Sequence, residues 1–154
     1  MNIETERLII RKLNLNDLYP LYKVLSNKEV MKYIEEPFTI EKTEKFIKNV
    51  GVLKKPLVYA IEFKDTNEVI GHVIYHEYDK NSYEIGWIIN NSYWGLGIAN
   101  EITQRFIEYS NIIGIKELVI ECNSKQTISK HIALKNKFIY EETIGDCDVY
   151  RLFI

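Results

Sequence analysis

Hydrophobic and polar residues alternate over 8–13 (LIIRKL), which predicts an opening strand. Asp17 is a suitable N-cap for a helix to about residue 25, with Pro20 in the first turn, where its missing N–H costs little. A second short helix is expected over 29–34, ending at Glu35-Glu36-Pro37. Thr39 then caps a helix over 40–53, because Ile40, Thr43, Phe46, Ile47 and Val50 fall at helical spacing. The pattern changes after Pro56. Residues 57–64, 69–78 and 83–89 are strand-like runs rich in Val, Ile and Tyr. The turns Asp65-Thr66-Asn67-Glu68 and Asp79-Lys80-Asn81-Ser82 join them as an antiparallel meander. A long helical pattern (Ile98, Ile102, Phe106, Tyr109, Ile113) follows Gly95 and Gly97 and stops at Gly114. A strand at 117–122, a helix at 126–136 and strands at 138–144 and 149–154 complete the order β-αα-βββ-α-β-α-ββ. This is an α+β (mixed α/β) chain: a mostly antiparallel sheet of about seven strands flanked by helices.

A length of 154 residues without linker or repeat fits one domain, 1–154. With 46% hydrophobic and 27% charged residues the composition is globular, which excludes disordered and fibrous classes. The net charge of −2 argues against nucleic acid as a partner. No apolar run approaches the ~18 residues of a membrane span, and the start lacks a signal-peptide layout. A cytoplasmic protein with no membrane partner is expected. The abundance of Ile, Lys and Asn points to an AT-rich bacterial genome. Cys122 and Cys147, with dispersed His72, His76 and His131, offer no metal-ligand spacing, so no metal is expected.

The chemistry concentrates in 83–99 (YEIGWIINNSYWGLGIA), where a strand runs through a glycine-bearing loop into a long helix. The first N–H groups of a helix lack internal partners, and alternate glycines let a bulky anion approach them, so the segment suits a phosphate or pyrophosphate. The same glycines would equally serve a tight turn alone. A P-loop requires Lys-Ser/Thr after the second glycine, and a dinucleotide fingerprint requires a third glycine in a parallel unit; neither is present.

WGLGIA (94–99) resembles the [Q/R]xxGx[G/A] pyrophosphate loop of the GNAT N-acetyltransferase superfamily, with Trp94 in place of the usual Gln or Arg. That replacement, the upstream EIGW strand, the opening ETERLIIRKL, SNKEVMKYIEEPFT and SKHIALKNKF are similar to the RimJ/RimL-like branch of ribosomal-protein N-terminal acetyltransferases. The resemblance covers essentially the whole chain. It implies the GNAT fold and acetyl-CoA as co-substrate, held at Trp87, Ile88, Ile89, Trp94, Gly95, Leu96, Gly97, Ile98, Ala99, Asn100, Gln126 and Ser129. The pantetheine arm would pair with the strand at 87–89, and a backbone N–H near Ile88 or Ile89 would serve the oxyanion. A primary amine would attack the thioester directly. Gln126 stands for the Asn of a second signature and Lys137 for its Gly, while Ala133 occupies the position of a Tyr acid in other branches.

Ser129 is therefore the implied acid, or else a helix-surface serine. Glu84 is the implied base acting through water, or else a strand-edge carboxylate paired with Lys or Arg. Glu141 matches a family Glu and is equally readable as structural; the hairpin Gly145-Asp146-Cys147-Asp148 shows no clear counterpart of an acid some members carry there. Tyr75, Tyr78 and Glu35-Glu36 could shape an acceptor site or be ordinary sheet and helix-end residues. Cys122 reads as a buried cysteine. The expected function is acetyl transfer to a peptide N-terminus or small amine. The alternatives are a non-catalytic acyl-CoA-binding or sensing domain and an antibiotic or polyamine acetyltransferase. The exposed edges of such a sheet are compatible with a homodimer.

Overall fold

The computed structural model describes Met1 to Ile154. Eight strands occur: β1 (Asn2–Glu4), β2 (Leu8–Lys12), β3 (Val58–Phe63), β4 (Glu68–Asp79), β5 (Ser82–Ile89), β6 (Glu117–Asn123), β7 (Ile139–Ile144) and β8 (Cys147–Phe153). Five α-helices accompany them: α1 (Leu18–Leu25), α2 (Lys28–Met31), α3 (Ile40–Phe46), α4 (Ile98–Ile112) and α5 (Thr127–Lys135). The strands form one sheet in the order β1-β2-β3-β4-β5-β6-β8-β7. Pairing is antiparallel along β1 to β4 and between β6, β8 and β7, and parallel between β5 and β6. The sequence pattern missed β1, whose three residues are too few to show an alternation.

The chain divides into two compact units, Met1–Ile74 with Trp87–Leu96, and Tyr75–Gly86 with Gly97–Ile154. In the first, Leu21, Val24 and Leu25 of α1 pack with Leu13, Met31, Phe38, Ile47, Val58, Ala60, Val69 and Ile88. Thr39 caps α3 as expected, accepting from the Lys42 N–H at 3.1 Å. The helix expected to reach residue 53 ends its α segment at Phe46 and continues as a π-helical turn over Ile47–Gly51.

Asp17 stands at the N-cap position of α1 as expected, but its side chain makes no capping hydrogen bond to that helix. Asn14 caps a preceding 3₁₀ turn, Leu15–Asp17, and the Asp17 carboxylate is buried against the Arg11 guanidinium, 2.9 Å from each of two nitrogens. Arg11 also donates to Glu62 at 2.7 Å. A charged, bidentate partner binds a carboxylate more strongly than a backbone amide does, and it holds the Arg11 pKa above its ordinary value.

His72 on β4 is fully buried beside Phe46, with ring centroids 5.2 Å apart, and its Nδ1 has no hydrogen-bond partner. Burial holds its pKa down at about 4, against 6.5 for a free imidazole. Between those values the unfolded chain binds the proton and the folded chain does not. Stability is therefore full above pH 6.5 and falls as the pH drops toward 4, by up to about 3 kcal/mol. Chemical denaturation at pH 7 and pH 4.5 measures this loss. In His72→Leu this contribution to the acid dependence should disappear.

In the second unit Tyr75 donates or accepts a buried 2.8 Å hydrogen bond with Ser110 of α4 and packs on Phe106. Gly114, at φ +82°, follows α4, and the N–H groups of Gly114 and Ile115 return to the carbonyls of Asn111 and Ser110. The same closure ends α5, with Lys137 at φ +66°: its N–H bonds the Leu134 carbonyl, and the N–H of buried Phe138 bonds that of Ala133. Lysine thus makes the left-handed turn in which the resembled family uses glycine, at a cost of roughly 1–2 kcal/mol. The last strand starts at Cys147, two residues earlier than expected, so Cys147 and Asp148 belong to β8 and not to the turn. Arg151 on β8 joins Asp79, Glu117 and Glu141 in one ion-pair cluster.

Candidate active site

After β5, Asn90 caps a 3₁₀ turn, Asn91–Tyr93, by accepting from the Ser92 N–H at 2.9 Å. The chain then passes through two left-handed glycines, Gly95 at φ +76° and Gly97 at φ +78°, before α4 begins at Ile98. Gly97 is the N-cap, and no side chain caps this helix. Its first N–H groups are thus left for an external acceptor, backed by the dipole of a 15-residue helix. A Cβ on Gly95 would meet nothing within 4 Å, so the loop is open on that side. These features fit a phosphate-bearing ligand. Ile98, 2% exposed, anchors the helix start in the core.

The loop is held from several sides. The Trp94 indole N–H donates to the Ile89 carbonyl at 2.9 Å, while the ring remains 44% exposed. Arg7 donates from Nη1 to the Leu96 carbonyl at 2.9 Å. Asn91 links to Asn27 and Glu29 of the α2 start, and Tyr93 packs on Phe63. Ala99 accepts from the Thr103 hydroxyl, and Asn100 accepts from Asn136 at 2.9 Å, tying α4 to the end of α5. The Asn100 side-chain oxygen therefore has a structural partner.

Trp87 is half-buried, and Ile88 and Ile89 are buried. The Ile88 carbonyl lies against Gly71 of β4, and the Asn90 N–H donates to Ile70 at 2.7 Å. In a trans peptide the C=O of one residue opposes the N–H of the next. The Ile89 N–H and C=O must then point away from β4, the carbonyl toward the Trp94 indole. The parallel pairing of β5 with β6 covers Ser82, Tyr83 and Glu84 against Glu117, Leu118 and Val119.

Glu84 is paired, though with neither Lys nor Arg: its carboxylate stands 3.3 Å from Nε2 of His76 on β4. The His76 Nδ1 sits 2.9 Å from the Glu77 carbonyl. Both ring nitrogens thus face acceptors, chiefly Glu84, and the imidazole pKa is raised above its ordinary value. Tyr78 on the same strand donates to Glu121, which holds the phenol pKa up. The sequence offered no signal for the His76–Glu84 pair.

Ser129 is half-buried in the first turn of α5. Gln126, just before that helix, accepts from the Asn123 N–H through Oε1 at 2.8 Å, which leaves its NH₂ as the end it can offer a ligand. Ala133 is fully buried, with its carbonyl in the turn that ends α5. Asp148, read from sequence as part of a hairpin without an acid counterpart, is a buried carboxylate. It is bonded to Lys130 at 2.7 Å, Ser124 at 2.7 Å and Thr143 at 2.8 Å. Those partners, Lys130 foremost, hold its pKa down at about 2. Cys122 pairs with Asp148 across β6 and β8, and burial raises its thiol to about 11, so it stays a thiol.

Glu141 accepts twice from Arg151 at 3.2 Å, a structural pairing. Glu35 pairs with Lys42 at 2.7 Å. His131 is exposed. No group of three or more His, Cys, Asp or Glu could hold a metal ion, and no helix is long and apolar enough to cross a membrane.

The fold, with its glycine loop opening into an uncapped helix, defines an acyltransferase of the GNAT class. Residues 7–139 match the sequence profile of the acetyltransferase (GNAT) domain, and the chain belongs to that family. It is 37% identical over 121 residues to the uncharacterized N-acetyltransferase YnaD of Bacillus subtilis, covering 77% of this chain and 68% of that one. The structure of a GNAT-family acetyltransferase from Bacillus anthracis superposes with a TM-score of 0.90 at 27% identity, over 99% of this chain and 98% of that one. RimL, a ribosomal L7/L12 α-N-protein acetyltransferase solved in complex with coenzyme A, superposes at 0.85 with 22% identity, over 100% and 98%.

Proposed function

We propose that the chain transfers acetyl from acetyl-CoA to a primary amine, with a peptide N-terminus or another amine of low pKa as acceptor. The observation that carries this reading is the pair of left-handed glycines opening into the uncapped N-terminus of α4, within a chain of the acetyltransferase family. The donor supplies an activated acetyl thioester. Gly95 to Asn100 hold its pyrophosphate through backbone N–H groups. The strand edge at Trp87 and Ile89 pairs with the pantetheine arm, and Gln126 adds its NH₂. Of the two oxyanion donors the sequence allowed, Ile89 is favoured, because its N–H points away from β4.

The His76–Glu84 pair accepts the proton that the acceptor ammonium must lose. An α-amino group near 7.7–8.0 gives up that proton far more readily than a lysine near 10.4. An imidazole raised above 6.5 is well matched to the first and poorly to the second. Ser129 returns a proton to the departing thiolate.

A panel of N-terminal, lysyl, polyamine and aminoglycoside acceptors, read by free-thiol release, tests the acceptor class. N-terminal acceptors should turn over fastest at neutral pH; equal turnover of a lysyl acceptor contradicts the assignment. Removing the Glu84 charge should lower the His76 pKa. In Glu84→Gln the rate should fall by roughly 10²–10⁴-fold, with its acid limb moved to lower pH. An unchanged limb removes the pair from the mechanism.

A further inference from the structure

Arg7 belongs to the turn between β1 and β2 and plays no part in the sequence-level reading of the loop. That turn is tightly fixed. The Thr5 N–H bonds the Leu8 carbonyl, the Thr5 hydroxyl accepts from the Leu8 N–H at 2.9 Å, and Leu8 is fully buried. Lys64 donates its backbone N–H to the Arg7 carbonyl at 2.9 Å and its ammonium to the Thr5 carbonyl at 2.7 Å. From this anchored backbone the guanidinium reaches the Leu96 carbonyl, 89 residues away in sequence, at 2.9 Å.

Leu96 lies between Gly95 and Gly97, so its peptide planes can rotate at little cost. The Leu96 carbonyl and the Gly97 N–H share one trans peptide and point in opposite directions. Turning the carbonyl toward Arg7 therefore turns the Gly97 N–H away from it. A flipped plane would present a carbonyl oxygen where the N–H stood, and a phosphate would be repelled.

We infer that Arg7 is a positioning residue for the anion loop: its hydrogen bond to Leu96 sets the Leu96–Gly97 peptide so that the N–H faces the donor's pyrophosphate. The inference rests on the reading of that loop as the pyrophosphate site.

Titration of wild type, Arg7→Ala and Arg7→Lys with acetyl-CoA and with acetyl-pantetheine, which lacks the pyrophosphate, tests it. Arg7→Ala should bind acetyl-CoA about tenfold more weakly, the scale of one charge-assisted hydrogen bond, and acetyl-pantetheine within about twofold of wild type. Arg7→Lys should recover most of the loss. An Arg7→Ala variant that keeps the wild-type preference for acetyl-CoA, or that loses both ligands equally while folded, overturns the inference. A wild type that binds the two donors equally overturns the loop assignment itself. Arg7→Gln, which retains a neutral donor, gives an intermediate loss if Arg7→Ala does not fold, and no loss would again overturn the inference.

Discussion

Gly71→Ala is expected to cost the chain at least about 3 kcal/mol, a large part of the 5–15 kcal/mol that holds a domain folded. A Cβ at this position of β4 would stand 2.0 Å from the Ile88 carbonyl oxygen, and 3.0 Å from the Ile88 carbonyl carbon and from the Ile89 Cα. All three are backbone atoms, so no side-chain rotation relieves the clash; β4 and the end of β5 must move apart. The displaced peptide is the one that aims the Ile89 N–H, so donor affinity should fall with stability. Urea denaturation reads the first effect. A midpoint within error of wild type would contradict this expectation.

Gly97→Glu should abolish acetyl-CoA binding while leaving the fold largely intact. Gly97 is exposed, so no buried packing is lost on substitution. At φ +78° a residue with a Cβ is strained by about 1–2 kcal/mol, which the fold can bear. The carboxylate would stand at the helix N-terminus, taking the place of the anion and repelling another. Titration with acetyl-CoA, with circular dichroism to confirm folding, separates the two effects. Retained affinity in a folded variant would mean that the phosphates bind elsewhere.

Local chemistry was the legible part of this sequence. Thr39 as a cap, Gly114 as a stop and Gly95 and Gly97 as a loop are read from one or two residues, and each acts in its own turn of chain. Side-chain partnership was not legible in the same way. Asp17 has the chemistry of a cap, but Arg11 claims it from a neighbouring strand. Asp148 lies in a stretch that reads as a turn, and only the pairing of β6 with β8 places it opposite Cys122, beside Lys130. Counting outward from Lys80-Asn81 would set Glu84 opposite Glu77, whereas its carboxylate meets His76. A one-residue slip in strand pairing moves every side chain to the other face, so the partner of Glu84 depends on how the β4–β5 turn sets the register. Lys137 shows the reverse: a departure from the family pattern that the backbone absorbs without changing the turn.

The loop from Trp94 to Ala99 is proposed to take the phosphates of an acyl-CoA and not those of a nucleotide cofactor. Calorimetric titration of the purified chain with acetyl-CoA, with ATP and NAD as controls, addresses it directly. Micromolar binding of acetyl-CoA alone is the predicted result. Absence of acetyl-CoA binding, or equal binding of ATP or NAD, would contradict it and leave the glycines as a turn between β5 and α4.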